Sequence, residues 1–573
     1  MASVAAAPTD RDRASQEEAR RVAVAAKRAA PALAELSQVA IDRIVDVMAA
    51  AARVRAEEFA KLAVEETGFG NVPDKIIKNR FSSDRVYEFI RPMKTVGVVG
   101  RDDAKKVVEI AEPFGVVAAI VPSTNPTSTA IYKILIALKA RCPIALSPHP
   151  SAAQCITRVA AVMAEAAAGA GAPAGAIDWM RTVNLAGTQE LMQHRDVAVI
   201  LATGGMGLVR AAYSAGKPAY GVGPGNAPCY IERTADLAKA AGDIIIGKTF
   251  DNGVLCSSPN SVVVDEAVAG EVKREFLRQG AYFLSKGEAE KVAAVLVTPQ
   301  RLSNPELVGK PAAVVAERAG VSVSTSTRVL IAELAGVGRD YPLSVEKLCP
   351  VLSYYVVADW REGCERCIQI LRYGGMGHTM SIHSRNEPVI LEFGLKKPAF
   401  RIVVNTPTSH GSIGLTTGLD PAMTLGCGGY GGNITSDNIS PRHLLNIKRL
   451  AYEIRPAASV GRPAATDVPL PKAPVVPVET GIGADLVKAQ FAAYLGSAMP
   501  AGRPAPTPPT AAASAPGESP VPFVCEEDVR QAVKAGRRIV IGERTIVTPA
   551  ARDLARAHGT FIEAGWPGSA GRT

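Results

Sequence analysis

The stretch GVVAAIVPSTNPTSTAIYKILIALKARCPIALSPHP, at residues 115–150, decides the fold. It contains an uninterrupted apolar run at 115–121, a helical pattern at 128–141 and a second apolar run at 143–147. Short uninterrupted apolar runs are typical of strands that are buried on both faces, and such strands connected by helices form parallel sheets. This stretch therefore predicts an α/β fold.

The same alternation continues on the C-terminal side of this stretch. We predict a helix at 152–168, strands at 179–183 and 197–201 with a short helix between them, and a helix at 208–215. Ligands of parallel sheets bind beyond the carboxyl ends of the strands. A ligand site is therefore expected where these strands end.

Further elements are predicted on both sides of this region. Residues 15–66 predict long alanine-rich helices, and residues 96–99 and 107–112 predict the two strands of a hairpin. Residues 433–455 predict a return to helix, from Ser440 onward. A second α/β segment spans about 228–428, with predicted strands at 261–264, 351–357 and 400–405.

The composition changes at residue 456. Prolines concentrate at 456–479 and 498–522, and we interpret both stretches as linkers because they are too proline-rich to bury a core. Between them, residues 483–497 predict a short amphipathic helix, which is marginal alone in water. We expect it to dock on another protein or to fold back on the preceding part of this chain.

Residues 523–573 predict a last compact segment. It contains a helix, a strand pair around 538–546, and a helix that begins at Pro549. Proline in the first turn, with Thr548 as the cap, is a sound start signal for a helix.

Charge and cysteine content argue against several classes of protein. Lys and Arg outnumber Asp and Glu by 64 to 55 without a block of like charge, which does not favour nucleic acid as a partner. The nine scattered cysteines favour reduced thiols, and the single CxxC pair, Cys364 and Cys367, lacks two further ligands for a metal. No apolar run reaches the roughly 18 residues of a membrane helix. We expect a soluble cytoplasmic protein without a metal.

Cys256 lies in the loop FDNGVLCSS at 250–258, which is rich in small and polar residues. A cysteine in such a loop can react as a thiolate. Nearby backbone N–H groups can lower the pKa of its thiol. A lone cysteine is more often an inert buried residue.

Asn125 lies in VPSTNP at 121–126, where a predicted strand ends and a helix begins. From there its amide can donate a hydrogen bond to a developing oxyanion. An ordinary asparagine turn is the alternative interpretation.

Two glycine-rich stretches are candidate ligand contacts, and the first follows the predicted strand at 197–201. ATGGMG at 202–207 opens a helix, so that its N–H groups can face a phosphate. YGVGPGN at 220–226 permits close approach of backbone to a ligand.

Together and in this order, these motifs resemble the aldehyde dehydrogenase superfamily. More narrowly, they resemble the CoA-acylating aldehyde dehydrogenases of bacterial microcompartments, of the propanediol- and ethanolamine-utilization type. The resemblance covers about residues 15–455, and its most specific strings are FDNGVLCSSPN at 250–260, VPSTNPTST at 121–129, ATGGMGLV at 202–209 and GVGPGNAP at 221–228. It implies the aldehyde dehydrogenase fold, with a Rossmann-like NAD- and CoA-binding domain at 1–227, completed by 429–455, and an α/β catalytic domain at 228–428.

The resemblance also implies a role for each residue that matches the family. Cys256 attacks the aldehyde, Asn125 and the N–H of Cys256 hold the oxyanion, and hydride passes to NAD. His378 is a candidate acceptor for the proton of the CoA thiol, although a structural histidine fits equally well. Ordinary members carry a lysine in the 147–149 stretch, so the preference for NAD over NADP is an inference. The residues expected to contact the cofactor are Ser123, Thr124, Ser147, Pro148, His149, Thr203, Gly204, Gly205, Met206, Val222, Gly223, Pro224, Glu346 and Leu348.

The acyl acceptor follows from a missing residue. Hydrolytic members of the family carry a glutamate in the segment equivalent to 220–226, where this chain has no carboxylate. A positioned base contributes ~10²–10⁴-fold, so water should attack the thioester slowly and a CoA thiol should prevail. We expect oxidation of propionaldehyde or acetaldehyde to acyl-CoA. The alternatives are a hydrolytic dehydrogenase that forms the free acid, and a tail that acts mainly as a shell-binding module.

The tail carries a resemblance of its own. Proline-rich linkers around a short helix resemble the encapsulation peptides of microcompartment cargo enzymes, and GERTIVTPAARDLARAHG at 542–559 resembles a terminal motif of several microcompartment proteins. The tail resemblance implies a location inside a microcompartment and shell or cargo proteins as partners. The resemblance to the aldehyde dehydrogenase superfamily implies a homo-oligomer, either a dimer or a tetramer.

Overall fold

The computed structural model describes residues 9–457, 521–542 and 545–563. They fall into two compact units, one within Met1–Val460 and the other within Gly461–Thr573. The predicted amphipathic helix at 483–497 and most of both predicted linkers lie outside the described residues. Within these ranges no helix is long and apolar enough to cross a membrane.

The first unit is built from helices and strands in alternation. Its α-helices are α1 (Asp10–Ala34), α2 (Gln38–Val54), α3 (Ala56–Thr67), α4 (Val72–Arg80), α5 (Tyr87–Ile90), α6 (Pro126–Lys139), α7 (Ala153–Gly169), α8 (Leu185–Gln193), α9 (Met206–Tyr213), α10 (Leu237–Thr249), α11 (Glu266–Arg278), α12 (Lys286–Leu296), α13 (Ala312–Arg318), α14 (Trp360–Tyr373), α15 (Glu387–Lys396) and α16 (Thr408–Ser412). A π-helical segment, Phe81–Val86, joins α4 to α5.

Its strands are β1 (Gly97–Asp102), β2 (Val107–Pro113), β3 (Val116–Val121), β4 (Ile144–Pro148), β5 (Ile177–Trp179), β6 (Val197–Thr203), β7 (Ala219–Val222), β8 (Ala227–Ile231), β9 (Pro259–Asp265), β10 (Ala281–Phe283), β11 (Val329–Glu333), β12 (Val351–Val357), β13 (Gly377–His383), β14 (Ala399–Val404) and β15 (Leu445–Ala451). Short 3₁₀ turns occur at Pro150–Ala152, Phe250–Gly253, Pro305–Leu307, Pro342–Ser344, Gly429–Gly431 and Pro441–Leu444.

The predicted parallel sheet is confirmed. It has five strands in the order β5-β4-β3-β6-β7, and all of its pairs are parallel. Every residue of β3 and of α6 is buried, because the sheet and other helices cover both elements. The strand predicted at 179–183 is misplaced. The chain turns away after Trp179 because Asn184 caps α8, with its side chain accepting from the N–H of Gly187.

The second α/β segment forms a seven-stranded parallel sheet in the order β10-β11-β12-β9-β8-β13-β14. It contains the three strands predicted at 261–264, 351–357 and 400–405. All seven residues of β9 are buried, as expected for a central strand with both faces covered. The loop that carries Cys256 leads directly into this strand.

The helix predicted from Ser440 to residue 455 is wrong. Only Pro441–Leu444 is helical, as a single 3₁₀ turn. β15 follows it and pairs antiparallel with β2, from Leu445 opposite Pro113 to Ala451 opposite Val107. With β1, which forms the predicted hairpin with β2, they make a three-stranded antiparallel sheet. The start of β15 alternates between half-buried and exposed residues, which is the period of two that a strand requires.

The second unit is a small α/β body. Its elements are β16 (Phe523–Val524), α17 (Glu526–Lys534), β17 (Ile539–Ile541), β18 (Ile546–Val547), α18 (Pro549–His558) and β19 (Phe561–Glu563). Thr548 caps α18 by accepting from the N–H of Ala551, as predicted. The predicted strand pair around 538–546 is wrong, because β17 pairs with β19 and β18 pairs with β16.

Candidate active site

A cavity of about 420 Å³ lies at the carboxyl ends of β3 and β6. These two neighbouring strands are where the order of the five-stranded sheet reverses, with β4 and β5 on one side and β7 on the other. Such a reversal opens a crevice in which ligands of α/β proteins bind. The cavity is also lined by residues from the loop before β9 and from the segment before β12.

Most of the residues singled out in the sequence line this cavity. They are Ser123, Thr124, Asn125, Pro148, His149, Thr203, Gly204, Gly205, Val222, Gly223, Pro224, Cys256, Glu346 and Leu348. The candidate nucleophile, the candidate oxyanion donor and the candidate cofactor residues thus share one crevice, although the chain separates them by up to 225 positions.

Three of the candidates do not line it. Ser147 is fully buried, with its Oγ 2.8 Å from Thr188 Oγ1. Met206, the first residue of α9, is 46% exposed. His378 is buried on β13.

Sequence reasoning missed the part of the lining that comes from the start of α8. Asn184, Leu185 and Thr188 face the cavity, and Leu185 is 66% exposed. The sequence did contain a signal for this part of the lining. Asn184 is a typical helix cap and comes just after a predicted strand of the same sheet, so the helix that it caps begins at the edge of the sheet where ligands bind.

Cys256 lies between the 3₁₀ turn Phe250–Gly253 and β9. Burial raises the pKa of its thiol to about 12, with a further contribution from the Glu346 carboxylate, while the Arg401 guanidinium has the opposite effect. This direction is opposite to the lowering expected from the loop sequence. The thiol is therefore protonated at neutral pH and requires deprotonation before it can attack.

Asn125 is the N-cap of α6, and its side chain is held between three groups. Its Oδ1 accepts from Lys78 Nζ at 2.5 Å. Its Nδ2 lies 3.3 Å from Thr124 Oγ1 and 3.5 Å from the carbonyl oxygen of Val254. The amide N–H groups thus point toward the loop of Cys256, where an oxyanion donor is needed.

Behind Asn125 lies a group of four charges that the sequence did not reveal, three of them buried and Asp74 half-buried. Lys75 and Lys78 on α4 both bind Asp251 Oδ2, Lys75 at 2.9 Å. The other oxygen of Asp251 accepts from the N–H of Asn71 at 2.8 Å, and the N–H of Asp251 donates to Asp74 Oδ2 at 2.7 Å. This charge cluster, Lys75, Lys78, Asp74 and Asp251, fastens α4 to the loop that carries Cys256.

Glu346 is the only carboxylate among the described residues that line the cavity. Its Oε1 accepts from the N–H of Gly225 at 2.9 Å. Burial raises its pKa to about 7, although the Gly225 N–H and the Lys248 ammonium oppose this. It is therefore divided between its charged and neutral forms near neutral pH.

His378 lies just beyond the backbone of Gly225. A Cβ added to Gly225 would be 2.1 Å from the carbonyl oxygen of Cys256 and 3.3 Å from the His378 ring. Burial and the nearby Arg401 lower the pKa of His378 to about 3, so the ring is neutral. Its Nδ1 is 2.9 Å from Thr379 Oγ1, and its buried Nε2 has no hydrogen-bond partner among the described residues.

The cavity fits a dinucleotide. The Thr203 hydroxyl is buried without a hydrogen-bond partner among the described residues. Gly205 caps α9 without a side-chain hydrogen bond, so N–H groups of the first helical turn are free to bind a phosphate. No Lys or Arg is found among the described lining residues, which leaves the site without a strong partner for an additional phosphate.

Comparisons with known proteins give the family to which the chain belongs. The aldehyde dehydrogenase family model matches residues 7–295. The chain is 50% identical to an acetylating aldehyde dehydrogenase from Geobacillus thermoglucosidasius, whose crystal structure gives a TM-score of 0.77 and covers 78% of this chain and 99% of that chain. It is 29% identical to a propionaldehyde dehydrogenase from the Clostridium phytofermentans fucose utilisation bacterial microcompartment, with a TM-score of 0.69 over 76% of this chain and 97% of that chain.

A longer relative aligns with only part of its length. The chain is 43% identical over 430 residues to the bifunctional aldehyde-alcohol dehydrogenase AdhE of Escherichia coli. This alignment covers 74% of this chain and 48% of that protein. The chain thus spans about half the length of the curated aldehyde-alcohol dehydrogenases that it matches. The predicted fold and the predicted resemblance to acylating members are confirmed, and the chain belongs to the aldehyde dehydrogenase family.

Proposed function

We propose that this protein oxidises a short aldehyde and transfers the acyl group to coenzyme A, with NAD as the hydride acceptor. The observation that carries the proposal is the composition of the cavity. Cys256 and the Asn125 amide meet there, and the only lining carboxylate among the described residues, Glu346, is already bound to the Gly225 N–H. The cavity thus provides a nucleophile and an oxyanion donor without a free base for water.

In the first half of the reaction the Cys256 thiol loses its proton to solvent, and the thiolate sulfur attacks the aldehyde carbon. The electron pair of the carbonyl moves to oxygen, and Asn125 Nδ2 donates a hydrogen bond to it. One such donor is worth about 2.7–4 kcal/mol of transition-state stabilisation. Bound NAD would accept the hydride as the carbonyl re-forms, which leaves a thioester on Cys256.

Three parts of the cavity would hold NAD. The glycines 204 and 205 and the Thr203 hydroxyl would bind the pyrophosphate at the start of α9. Pro148 and His149, which follow β4, would contact the adenosine ribose, and Glu346 would bind the nicotinamide ribose. The absence of Lys and Arg from the described lining favours NAD over NADP, because a 2′-phosphate requires a cationic partner.

In the second half the thioester passes to the thiol of CoA. The sulfur of CoA forms the new bond to the acyl carbon, and the Cys256 thiolate leaves. His378 is the candidate acceptor for the thiol proton, since its ring is neutral and its Nε2 is free of partners among the described residues. Its low pKa means that it would hold the proton only transiently.

Hydrolysis of the thioester is the second candidate function, and one observation favours it. The raised pKa of Glu346, about 7, is well suited to a general base near neutral pH. In a hydrolytic enzyme Glu346 would have to release the Gly225 N–H and face a water molecule beside Cys256.

Steady-state turnover with and without CoA decides between these two functions. We expect NADH to form continuously with C2 to C4 aldehydes only when CoA is present, with acyl-CoA as the product. Undiminished turnover without CoA, with release of the free acid, would establish the hydrolytic function instead. Propionaldehyde and acetaldehyde are the proposed substrates.

We also propose that the enzyme works inside a bacterial microcompartment as a homo-oligomer, and that its C-terminal tail binds shell or cargo proteins. The tail resemblance supports the location, and one related structure comes from such a compartment. The proposed test compares the full chain with a chain that ends at residue 457, in cells that assemble shells. Equal co-purification of the two chains with shells would contradict the role of the tail.

A further inference from the structure

We propose that Lys78 is a positioning residue that fixes the orientation of the Asn125 amide and thereby aims its N–H group at the reacting aldehyde oxygen. The inference deepens the proposed function and rests on Asn125 as the oxyanion donor. It concerns the first half of the reaction, which both candidate functions share.

The first step of the argument is the chemistry of the contact. Lys78 Nζ and Asn125 Oδ1 are 2.5 Å apart, and the two residues are 2% and 9% exposed. An ammonium group carries only donors, so the atom of Asn125 that it contacts must be the amide oxygen. The amide nitrogen is then forced to the opposite side, toward the loop of Cys256.

The other neighbours of Asn125 fix this orientation weakly. Thr124 Oγ1 can donate or accept, so it is compatible with either orientation of the amide. The Val254 carbonyl accepts only, but at 3.5 Å it lies at the outer limit of a hydrogen bond. Without Lys78, a rotated amide would present its oxygen to the oxyanion, and repulsion would replace the hydrogen bond.

Lys78 is itself held in place. It binds Asp251, five positions before Cys256 in the chain, and Asp251 is fully buried. Burial lowers the pKa of Lys78 to about 8, and Asp251 opposes this change. Lys78 therefore remains mostly protonated, and donor-only, at neutral pH.

Lys75 provides a matched control within the same cluster. Its Nζ binds Asp251 Oδ2 at 2.9 Å and the Thr124 carbonyl at 3.3 Å, and it has no hydrogen bond to Asn125 in the described contacts. Both lysines are buried, both lie on α4 and both bind the same carboxylate oxygen. They differ in their contact with the Asn125 amide.

The experiment compares Lys78→Met with Lys75→Met in the full chain. Each variant leaves one lysine paired with Asp251, so neither leaves that carboxylate without a cation. The first measurement is the burst of NADH on rapid mixing with aldehyde and NAD in the absence of CoA. The second is the rate of Cys256 alkylation by iodoacetamide, a displacement at saturated carbon that creates no oxyanion.

Loss of the oriented donor should lower the burst rate of Lys78→Met by about 10²-fold, while Lys75→Met should lose much less. Alkylation should stay close to the wild-type rate in both variants. Lys78→Arg, which also carries only donors, should recover most of the burst. Adding Lys78→Met to Asn125→Ala should cause little further loss, because the two residues act through one hydrogen bond.

Equal losses in Lys75→Met and Lys78→Met would overturn the proposal, since they would indicate a common structural role. A parallel fall in alkylation would also overturn it. If Lys78→Met does not fold, Lys78→Gln replaces it in the comparison. The glutamine amide can accept from Asn125 Nδ2 as well as donate to Oδ1, so it no longer selects one orientation of the Asn125 amide. A wild-type burst rate in Lys78→Gln would contradict the proposal. Failure of the acylating function would instead appear as CoA-independent turnover of the wild type.

Discussion

Gly225 lies beside three groups of the proposed reaction, Glu346, Cys256 and His378, and its replacement by alanine tests the geometry of the site. Its N–H binds Glu346, and its Cα faces both the Cys256 carbonyl and the His378 ring. A Cβ at this position would lie 2.1 Å from the carbonyl oxygen of Cys256. The φ of Gly225 is not in the left-handed region, so the expected effect of Gly225→Ala is steric rather than conformational.

The expected loss of reaction rate and of folding stability in Gly225→Ala follows from this distance. Ordinary contact begins at 3.4 Å, so the Cys256 backbone and residue 225 must move apart by about 1.3 Å. A displacement of about 1 Å at reacting groups costs on the order of 10²-fold in rate. Insertion of a methyl group into a packed interior costs about 1–3 kcal/mol of folding stability. We therefore expect a folded, moderately destabilised enzyme whose burst rate falls by about 10²-fold.

Gly374→Ala is the matched control. A Cβ on Gly374 would meet the Asn226 side chain at 3.5 Å, which is ordinary contact in the same neighbourhood. The assays are the NADH burst without CoA, alkylation of Cys256 by iodoacetamide, and thermal unfolding of both variants and the wild type. A Gly225→Ala enzyme with the burst rate of Gly374→Ala would refute the reasoning, because it would show that the Cys256 loop absorbs the displacement without loss of alignment.

Three further predictions concern the nucleophile and Glu346. Cys256→Ala should abolish NADH formation while thermal stabilisation by added NAD persists; residual turnover would exclude Cys256 as the nucleophile. Because burial raises the pKa of Cys256 to about 12, the thiolate fraction of the cofactor-free enzyme should rise tenfold per pH unit, and the alkylation rate with it, up to about pH 9; a plateau below that pH would contradict the effect of burial on this thiol. Glu346→Gln should weaken NAD binding and leave CoA-free acid formation as low as in the wild type, whereas a fall in acid formation would identify Glu346 as the base for water.

The two parallel sheets could be predicted from the sequence because their signal is local. The apolar runs that became β3, β9 and β12 need no partner to be recognised, since burial on both faces removes polar residues from each strand. β15 shows the limit of this approach. Its seven residues are compatible with more than one local structure, and pairing with β2, more than 300 positions earlier, decides that it is a strand.

The same distinction applies to the candidate site. Cys256 and Asn125 were identified because each lies in a distinctive local string, and the structure places both at one cavity. Lys78 was missed because it lies in an unremarkable helix and acquires its significance from Asp251, 173 positions away. Its contact with Asn125 spans 47 positions, and no spacing within the chain indicates either contact.

The buried cations of this site lie behind the cavity wall and not in it. Lys78 touches the far side of the Asn125 amide, and Arg401 lies close enough to Cys256 to oppose the rise in its pKa, yet neither is among the lining residues. A cation within the wall would attract the carboxylate of a free acid or an additional phosphate, and it would bring water with it. Placed one residue deeper, Lys78 acts through the Asn125 N–H, whose direction it fixes. The described wall therefore contains no Lys or Arg, and a neutral amide within it stabilises the transient negative charge of the proposed reaction.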